Sequence, residues 1–216
     1  VASTISKKVS GNDNMSYEEA EKYFSNIMNE KAKELGAKNT NFVNPHGYHD
    51  DNHYTTAYDM ALFSRVALNY DTIRQIASEK SFIGNGAGDK KNDTIITQDY
   101  EWYSHNSLIS SKKNFYEHAT GLKTGFTDQA GRSVSATAQK ENVDLIAVVF
   151  KSDDPGRWND SIALFEYGFN NYEIVTILEE GQKVDSIKLH KSKLGESDEL
   201  EIISEKKYQD YIKESE

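Results

Sequence analysis

Tyr17, Ala20, Phe24, Ile27, Met28 and Leu35 recur at helical spacing among polar residues, which predicts an amphipathic helix over 16–35. Ser16 with Glu19 three residues later supplies a capping box at its start, and Gly36 supplies a stop. The following stretch, NTNFVNPHGYHDDNHYTT over 39–56, is crowded with turn formers and keeps no period, as an irregular loop requires. Thr56 with Asp59 then opens a second predicted helix through Leu68, and Asp71 is expected to cap a short third one. Over 81–99 the text turns polar and Gly-rich around one β-prone patch at 94–97, which predicts hairpins and loops.

Three β-prone segments, LKTGFTDQ, RSVSATAQK and VDLIAVVFK, follow over 122–151, joined by the short turns QAG and KEN. They predict an antiparallel meander. In GRWNDSIALFEYGF, Trp158, Ile162, Phe165 and Phe169 then fall on one helix face that can pack back on the sheet. Helices before and after one antiparallel sheet define an α+β fold. Beyond Asn171, YEIVTILEEG and QKVDSIKLH alternate as edge-like strands, and 191–216 is charged with little apolar content beyond LEIIS. A boundary is expected near Tyr172, giving units 1–172 and 173–216, the second too short for a core of its own and read as the start of a β-rich domain.

Charge narrows the functional classes. Thirty-five acidic against 25 basic residues leave a net charge of −10 over 216 residues, with no Lys/Arg stripe, which argues against a nucleic-acid partner. No apolar run approaches the roughly 18 to 20 residues that cross a bilayer. Cysteine is absent, which excludes disulfides, thiolate nucleophiles and Cys-based zinc sites. His46, His49 and His53 with Asp50 and Asp51 could ligate a metal, but their spacing belongs to a loop and not to a metalloprotease helix; no metal or cofactor is expected. The abrupt opening VASTISKKVSG reads as a helix cut partway along.

Candidate chemistry sits in the meander, where Lys123, Thr124 and Gly125 spell KTG. On a strand beside a cleft, an ammonium attracts a substrate carboxylate, a hydroxyl bonds it, and glycine admits the ligand backbone. KTG with S-x-x-K and S-x-N is the set shared by class A β-lactamases and penicillin-binding proteins. Further blocks accompany it: MNEKAKELGAKNTNFVNPHG (28–47), YTTAYDMALFSRVAL (54–68), GLKTGFTDQAGRSVSATAQ (121–139), and Gly156-Arg157 before a helix. Together, in this order, they resemble the serine D-Ala-D-Ala carboxypeptidases, the low-molecular-mass penicillin-binding proteins of peptidase family S11. The MNEKAKELG and NPHG segments of the first block speak against a β-lactamase, and the segment after Asn171 resembles the start of the family's C-terminal β domain.

The nucleophile motifs do not fall in place. Ser110 with Lys113 reads as part of a polar loop, and Ser204 with Lys207 as part of the charged tail, so neither matches the helix-borne S-x-x-K. Ser10-Gly11-Asn12 spells S-x-N but reads as the turn after a first helix, which places the family's S-x-N and S-x-x-K before Val1. The expectation is therefore an N-terminally truncated, β-lactamase-like transpeptidase domain, inactive alone. The resemblance implies removal of the terminal D-Ala from peptidoglycan stem peptides through an acyl-enzyme, with β-lactams as further ligands and a secreted or membrane-associated, extracytoplasmic setting. It assigns Lys123 to charge and proton movement and Thr124 to the substrate carboxylate. Gly125 gives clearance, the Phe126 N–H forms half of an oxyanion hole, and Arg157 is a second carboxylate anchor. The rival from another class is a non-catalytic stem-peptide-binding or regulatory module.

Overall fold

The computed structural model describes residues 1–85, 89–91, 94–96, 99–189 and 199–213. They form two compact units, Val1–Glu166 and Tyr167–Glu216. The first begins with α1 (Ala2–Ser10) and α2 (Tyr17–Glu34). At the start of α2, Ser16 Oγ accepts the Glu19 N–H at 3.2 Å, and the Glu19 carboxylate accepts the Ser16 N–H at 2.8 Å. Hydrogen bonds to the carboxylate from the Ser16 backbone N–H, and secondarily from its hydroxyl, hold the Glu19 carboxyl below its ordinary range. The buried Ser6 hydroxyl donates to the Ala20 carbonyl at 2.7 Å and ties α1 to α2.

α3 (Ala57–Ala67) starts as expected, with Thr56 Oγ1 accepting the Asp59 N–H. α4 (Asp71–Ser78) is present, but its cap is Tyr70; Asp71 is the first helical residue, where a carboxylate complements the helix dipole. Asp59 pins the irregular loop between α2 and α3. Its carboxylate, 1% exposed, accepts the Asn39 N–H at 2.8 Å and the Thr40 hydroxyl at 2.7 Å. Asn29 adds a second tie, its side-chain amide bonding both the N–H and the carbonyl of Phe42.

Two hairpins follow: β1 (Ser81–Asn85) pairs with β4 (Asp99–Tyr103), and β2 (Asp89–Lys91) with β3 (Thr94–Ile96). The expected β patch is β3, with Thr97 outside the described residues, while β4 runs on past the stretch where hairpins were expected. A single helical turn, α5 (Ser107–Ser110), replaces the polar loop expected around Ser110. The reason is visible: Asn106 Oδ1 caps it by accepting the Leu108 N–H, and Leu108 and Ile109 are buried.

The meander forms as read, β5 (Ala119–Thr127), β6 (Gly131–Lys140) and β7 (Val143–Ser152), antiparallel in the order β5-β6-β7. Central β6 is buried on both faces from Val134 to Ala138. On one face the Ser135 and Ser64 hydroxyls lie 2.7 Å apart, joining β6 to α3, and Thr137 Oγ1 accepts from the Thr120 hydroxyl of β5 at 2.9 Å. Where β5 passes under α4, Gly121 leaves room; a Cβ there would stand 3.0 Å from Ala77 Cβ. On the opposite face Val134, Ala136 and Ala138 alternate, as the pleat dictates. α6 (Gly156–Asn171) follows and runs across the division between the units. Its Trp158 and Phe165 are buried as expected, and Phe165 stacks on Tyr116 at 5.8 Å; Ile162 and Phe169 are only partly covered. Burial and a 2.8 Å bond to Glu166 hold the Tyr116 phenol above its ordinary range.

In the second unit β8 (Tyr172–Leu178) pairs with β11 (Tyr208–Lys213), and β9 (Lys183–Lys188) with β10 (Glu199–Ile203). The charged tail therefore contributes two strands, β10 and β11. Among the described residues no helix is long and apolar enough to cross a membrane.

The Asp59 carboxylate is the shared acceptor of the Asn39 N–H and the Thr40 hydroxyl. Asp59→Ala is expected to lower the unfolding free energy by about 2 kcal/mol, the cost of losing two bonds to a buried carboxylate, read as a shifted midpoint in urea. An unchanged midpoint removes Asp59 as the anchor of the loop.

Candidate active site

Lys123, Thr124, Gly125 and Phe126 occupy consecutive positions on β5, opposite Ser135, Val134, Ser133 and Arg132 of β6. β5 lies at the end of the three-strand order, and among the described residues no strand pairs with its outer edge. Lys123 is exposed, and its ammonium turns back to donate to the Thr124 carbonyl at 2.6 Å. Gly125 is exposed too, and a Cβ there would meet no atom within 4 Å, so the strand is open at this residue. An edge strand bared at glycine, with an ammonium and a hydroxyl just before it, can take an extended, carboxylate-bearing chain.

Beyond Gly125 the site is ordered by charge. The Arg132 guanidinium sits 4.3 Å from the centroid of the Phe126 ring. Arg132 Nε also reaches Asp154 Oδ2 at 3.2 Å. Arg157 approaches the same carboxylate, Nε donating to Oδ1 at 2.9 Å and Nη2 to Oδ2 at 3.4 Å, while Nη1 donates to the Ser133 carbonyl at 3.4 Å. Its guanidinium lies 4.1 Å from the Trp158 ring centroid, and the residue is 7% exposed. Asp154 thus bridges two arginines, one beside the ring of Phe126 and one at the start of α6. These bonds use three of the five guanidinium donors of Arg157.

The expected site residues do not share one cavity. Lys123 lines a cavity of about 580 Å³ with α4 and the β1–β4 hairpin. Gly125 and Phe126 line another of about 410 Å³ with His53, Phe42 and Phe150. Arg157 lines a third of about 270 Å³, with Ser107, Lys113 and Asn114. Nothing in the sequence marks Arg132 or the hydroxyl pair Ser64–Ser135, because both act through partners that only the fold brings near.

The serine motifs are occupied locally. The Ser110 hydroxyl bonds the carbonyls of Ser104 and Asn106, and the Ser204 hydroxyl that of Lys206. Ser10 ends α1, Gly11 takes φ +70° in the left-handed region, and the Asn12 N–H donates to Ser10 Oγ at 3.2 Å, so Ser10-Gly11-Asn12 forms a helix-ending turn. In the histidine loop each imidazole has its own partners: His53 Nδ1 accepts the Val43 N–H, His46 Nδ1 the Tyr48 N–H, and His49 Nε2 lies 3.3 Å from Asp51.

This meander with its helices is the fold of the penicillin-binding DD-peptidases. Penicillin-binding protein 5 of Haemophilus influenzae aligns with a TM-score of 0.71 and 28% identity over 97% of this chain and 54% of its own. The Streptomyces K15 DD-transpeptidase aligns at 0.68 and 25% identity, over 78% of this chain and 62% of its own. The chain belongs to the D-alanyl-D-alanine carboxypeptidase family, peptidase family S11, which it matches over residues 10–154. It is 34% identical to the D-alanyl-D-alanine carboxypeptidase DacF of Bacillus subtilis over 87% of its length and 46% of the relative's. It is 32% identical to DacA of Escherichia coli over 76% and 37%. The chain therefore spans less than half the length of these relatives.

His53, beside Gly125 and Phe126, is held below its ordinary pKa chiefly by burial, opposed by Asp50 and aided by His46. A depressed base favours the neutral form in the fold, so its contribution to stability is present above about pH 6.5 and lost as pH falls through the lowered value. Melting temperature is expected to fall between pH 7.5 and 5, and less steeply in His53→Gln. Parallel curves for the two proteins overturn the assignment to His53.

Proposed function

We propose that residues 1–172 are part of the catalytic domain of a serine D-Ala-D-Ala carboxypeptidase, and that 173–216 begin a small β-rich domain. The parent protein removes the terminal D-Ala of peptidoglycan stem peptides outside the cytoplasm and is acylated by β-lactams. The observation that carries this reading is the Lys-Thr-Gly segment on a strand whose outer edge no described strand pairs, open at Gly125, in a chain of this family.

In the reaction a serine oxygen attacks the carbonyl carbon of the D-Ala-D-Ala bond. The serine proton passes to the leaving amine, D-Ala departs, and water hydrolyses the resulting ester. This chain supplies the substrate-carboxylate side. The Lys123 ammonium exchanges its bond to the Thr124 carbonyl for the carboxylate and supports proton movement, and the Thr124 hydroxyl donates to the same group. Gly125 admits the peptide backbone, and the Phe126 N–H stabilises the developing oxyanion. Arg157, with two guanidinium donors left, is the second carboxylate anchor, set in place by Asp154.

Ser110 and Ser204 are not the nucleophile, since neither opens a buried helix. Fluorescent penicillin is accordingly expected to leave the 216-residue chain unlabelled and to label a longer product that includes a helix-borne S-x-x-K. An adduct on the short chain, seen by intact mass, refutes this assignment. A longer product that binds stem peptide yet takes no acyl group makes the protein a binding module instead.

A charge-assisted bond to a carboxylate contributes about 1.5 to 3 kcal/mol. In the longer enzyme, Arg157→Ala is therefore expected to lower kcat/KM on a D-Ala-D-Ala peptide about ten- to a hundredfold. The penalty should largely vanish on a C-terminally amidated peptide, where the same contact is already gone. Equal penalties on both substrates assign Arg157 to holding Asp154 and remove it from the substrate site.

A further inference from the structure

The β1–β4 hairpin carries aromatic rings that have no part in the chemistry above. Phe82 pairs directly with Trp102 across the strands, and Tyr100 lies two residues from Trp102 on the same face. The Phe82 and Trp102 planes meet at 23° with centroids 6.0 Å apart, those of Tyr100 and Trp102 at 26° and 5.6 Å. All three residues stay about half exposed, at 60%, 53% and 47%. Gly84, opposite Tyr100, accounts for how the rings lie. A Cβ at 84 would stand 2.8 Å from both Phe82 Cε1 and Trp102 Cζ3, so any side chain there would displace them. The result is a row of near-parallel rings leaning over the hairpin.

This row is continuous with the 580 Å³ cavity that Lys123 lines, so a ligand held on the Lys-Thr-Gly segment has its neighbouring portion within reach of Phe82 and Trp102. Glu79, Ser81 and Ser104 are the acidic and hydroxyl-bearing residues among those lining the same, mostly apolar, space. Aromatic rows also stack nucleobases, but a net charge of −10 and an acidic residue beside the cavity disfavour a polyanion. A neutral pyranose fits both features. Its C–H faces meet the negative faces of the rings, and its hydroxyls remain in water, which suits rings that are only half covered.

We infer that the β1–β4 hairpin is a stacking platform for the glycan chain from which the stem peptide hangs, a polymer of β-1,4-linked N-acetylated hexosamines. The inference rests on the reading that peptidoglycan is the substrate, and it adds the sugar portion to the peptide portion already assigned.

The two tryptophans make the test direct, since Trp102 is half exposed and Trp158 is 2% exposed. Titration of the 216-residue chain with the β-1,4-linked tetramer of N-acetylglucosamine is expected to shift tryptophan emission with a Kd on the order of 1 mM. Trp102→Ala should abolish the response. Phe82→Ala and Tyr100→Ala, at exposed positions that leave the melting temperature unchanged, should each weaken binding about tenfold. No saturable response up to about 50 mM, or one untouched by Phe82→Ala, overturns the platform. A response that follows protein concentration, with dimers in sedimentation, gives the rings to a second copy and overturns it as well. A longer chain whose Trp102 is already shielded and unresponsive gives them to another segment and likewise overturns it. Titration with a stem pentapeptide separates the two readings. Peptide binding without sugar binding discards the platform and leaves the proposed function standing, whereas sugar binding without peptide binding upholds the platform and counts against that function.

Discussion

Strand β6 is the constraint from which the first unit is built. It is hydrogen-bonded on both edges, to β5 and β7, and buried on both faces from Val134 to Ala138. A strand so enclosed has no freedom of register, because a slip of one residue would drive Ser135 and Thr137 into the opposite face. The polar residues on it are satisfied by partners the register provides, Ser135 by Ser64 of α3 and Thr137 by Thr120 of β5. Fixing β6 fixes β5, and with it the position of every residue from Lys123 to Phe126.

Electrostatics then tie the far end of β5 to α6. Asp154 accepts from Arg132 and Arg157 together, and each arginine rests near an aromatic ring, Phe126 or Trp158. A carboxylate between two guanidiniums leaves one positive charge in excess, so the group neutralises itself only partly. Arg157 is the more deeply enclosed of the two, and a buried guanidinium with a bidentate partner is held in one orientation, whereas an exposed one samples many. That state suits the anchoring role proposed for Arg157, since such a group needs no ordering before it meets an anion.

Much of this is legible in the amino-acid order. Ser16 and Glu19, Thr56 and Asp59, and the three β-prone segments around QAG and KEN are local signals, and the structure uses them locally. Four blocks in register point to the family that the chain's match over residues 10–154 establishes. What is not legible depends on distance in space. Tyr70 caps α4 although its side chain makes no capping bond, so the acidic Asp71 is the more visible candidate. Ser110 reads as loop because a four-residue helix has no period to detect; the burial of Leu108 and Ile109 is what holds it. The alternation Tyr100-x-Trp102 is a strand signal, weakened by the polar, Gly-rich text before it. Strand β11 hides in a tail whose charges alternate with Tyr208, Tyr211 and Ile212.

An edge strand that no described strand covers is open to any other strand as well. The outer edge of β5 presents main-chain donors and acceptors that a second copy could pair with, which is the usual route from an exposed edge to aggregation. Lys123 stands on that edge as an exposed charge, and an ammonium met by its own copy across an antiparallel pairing would be repelled. The residue proposed to draw a carboxylate to the strand is therefore also one that discourages the strand from joining itself, so on that reading selection for binding and selection for solubility act there on the same atom.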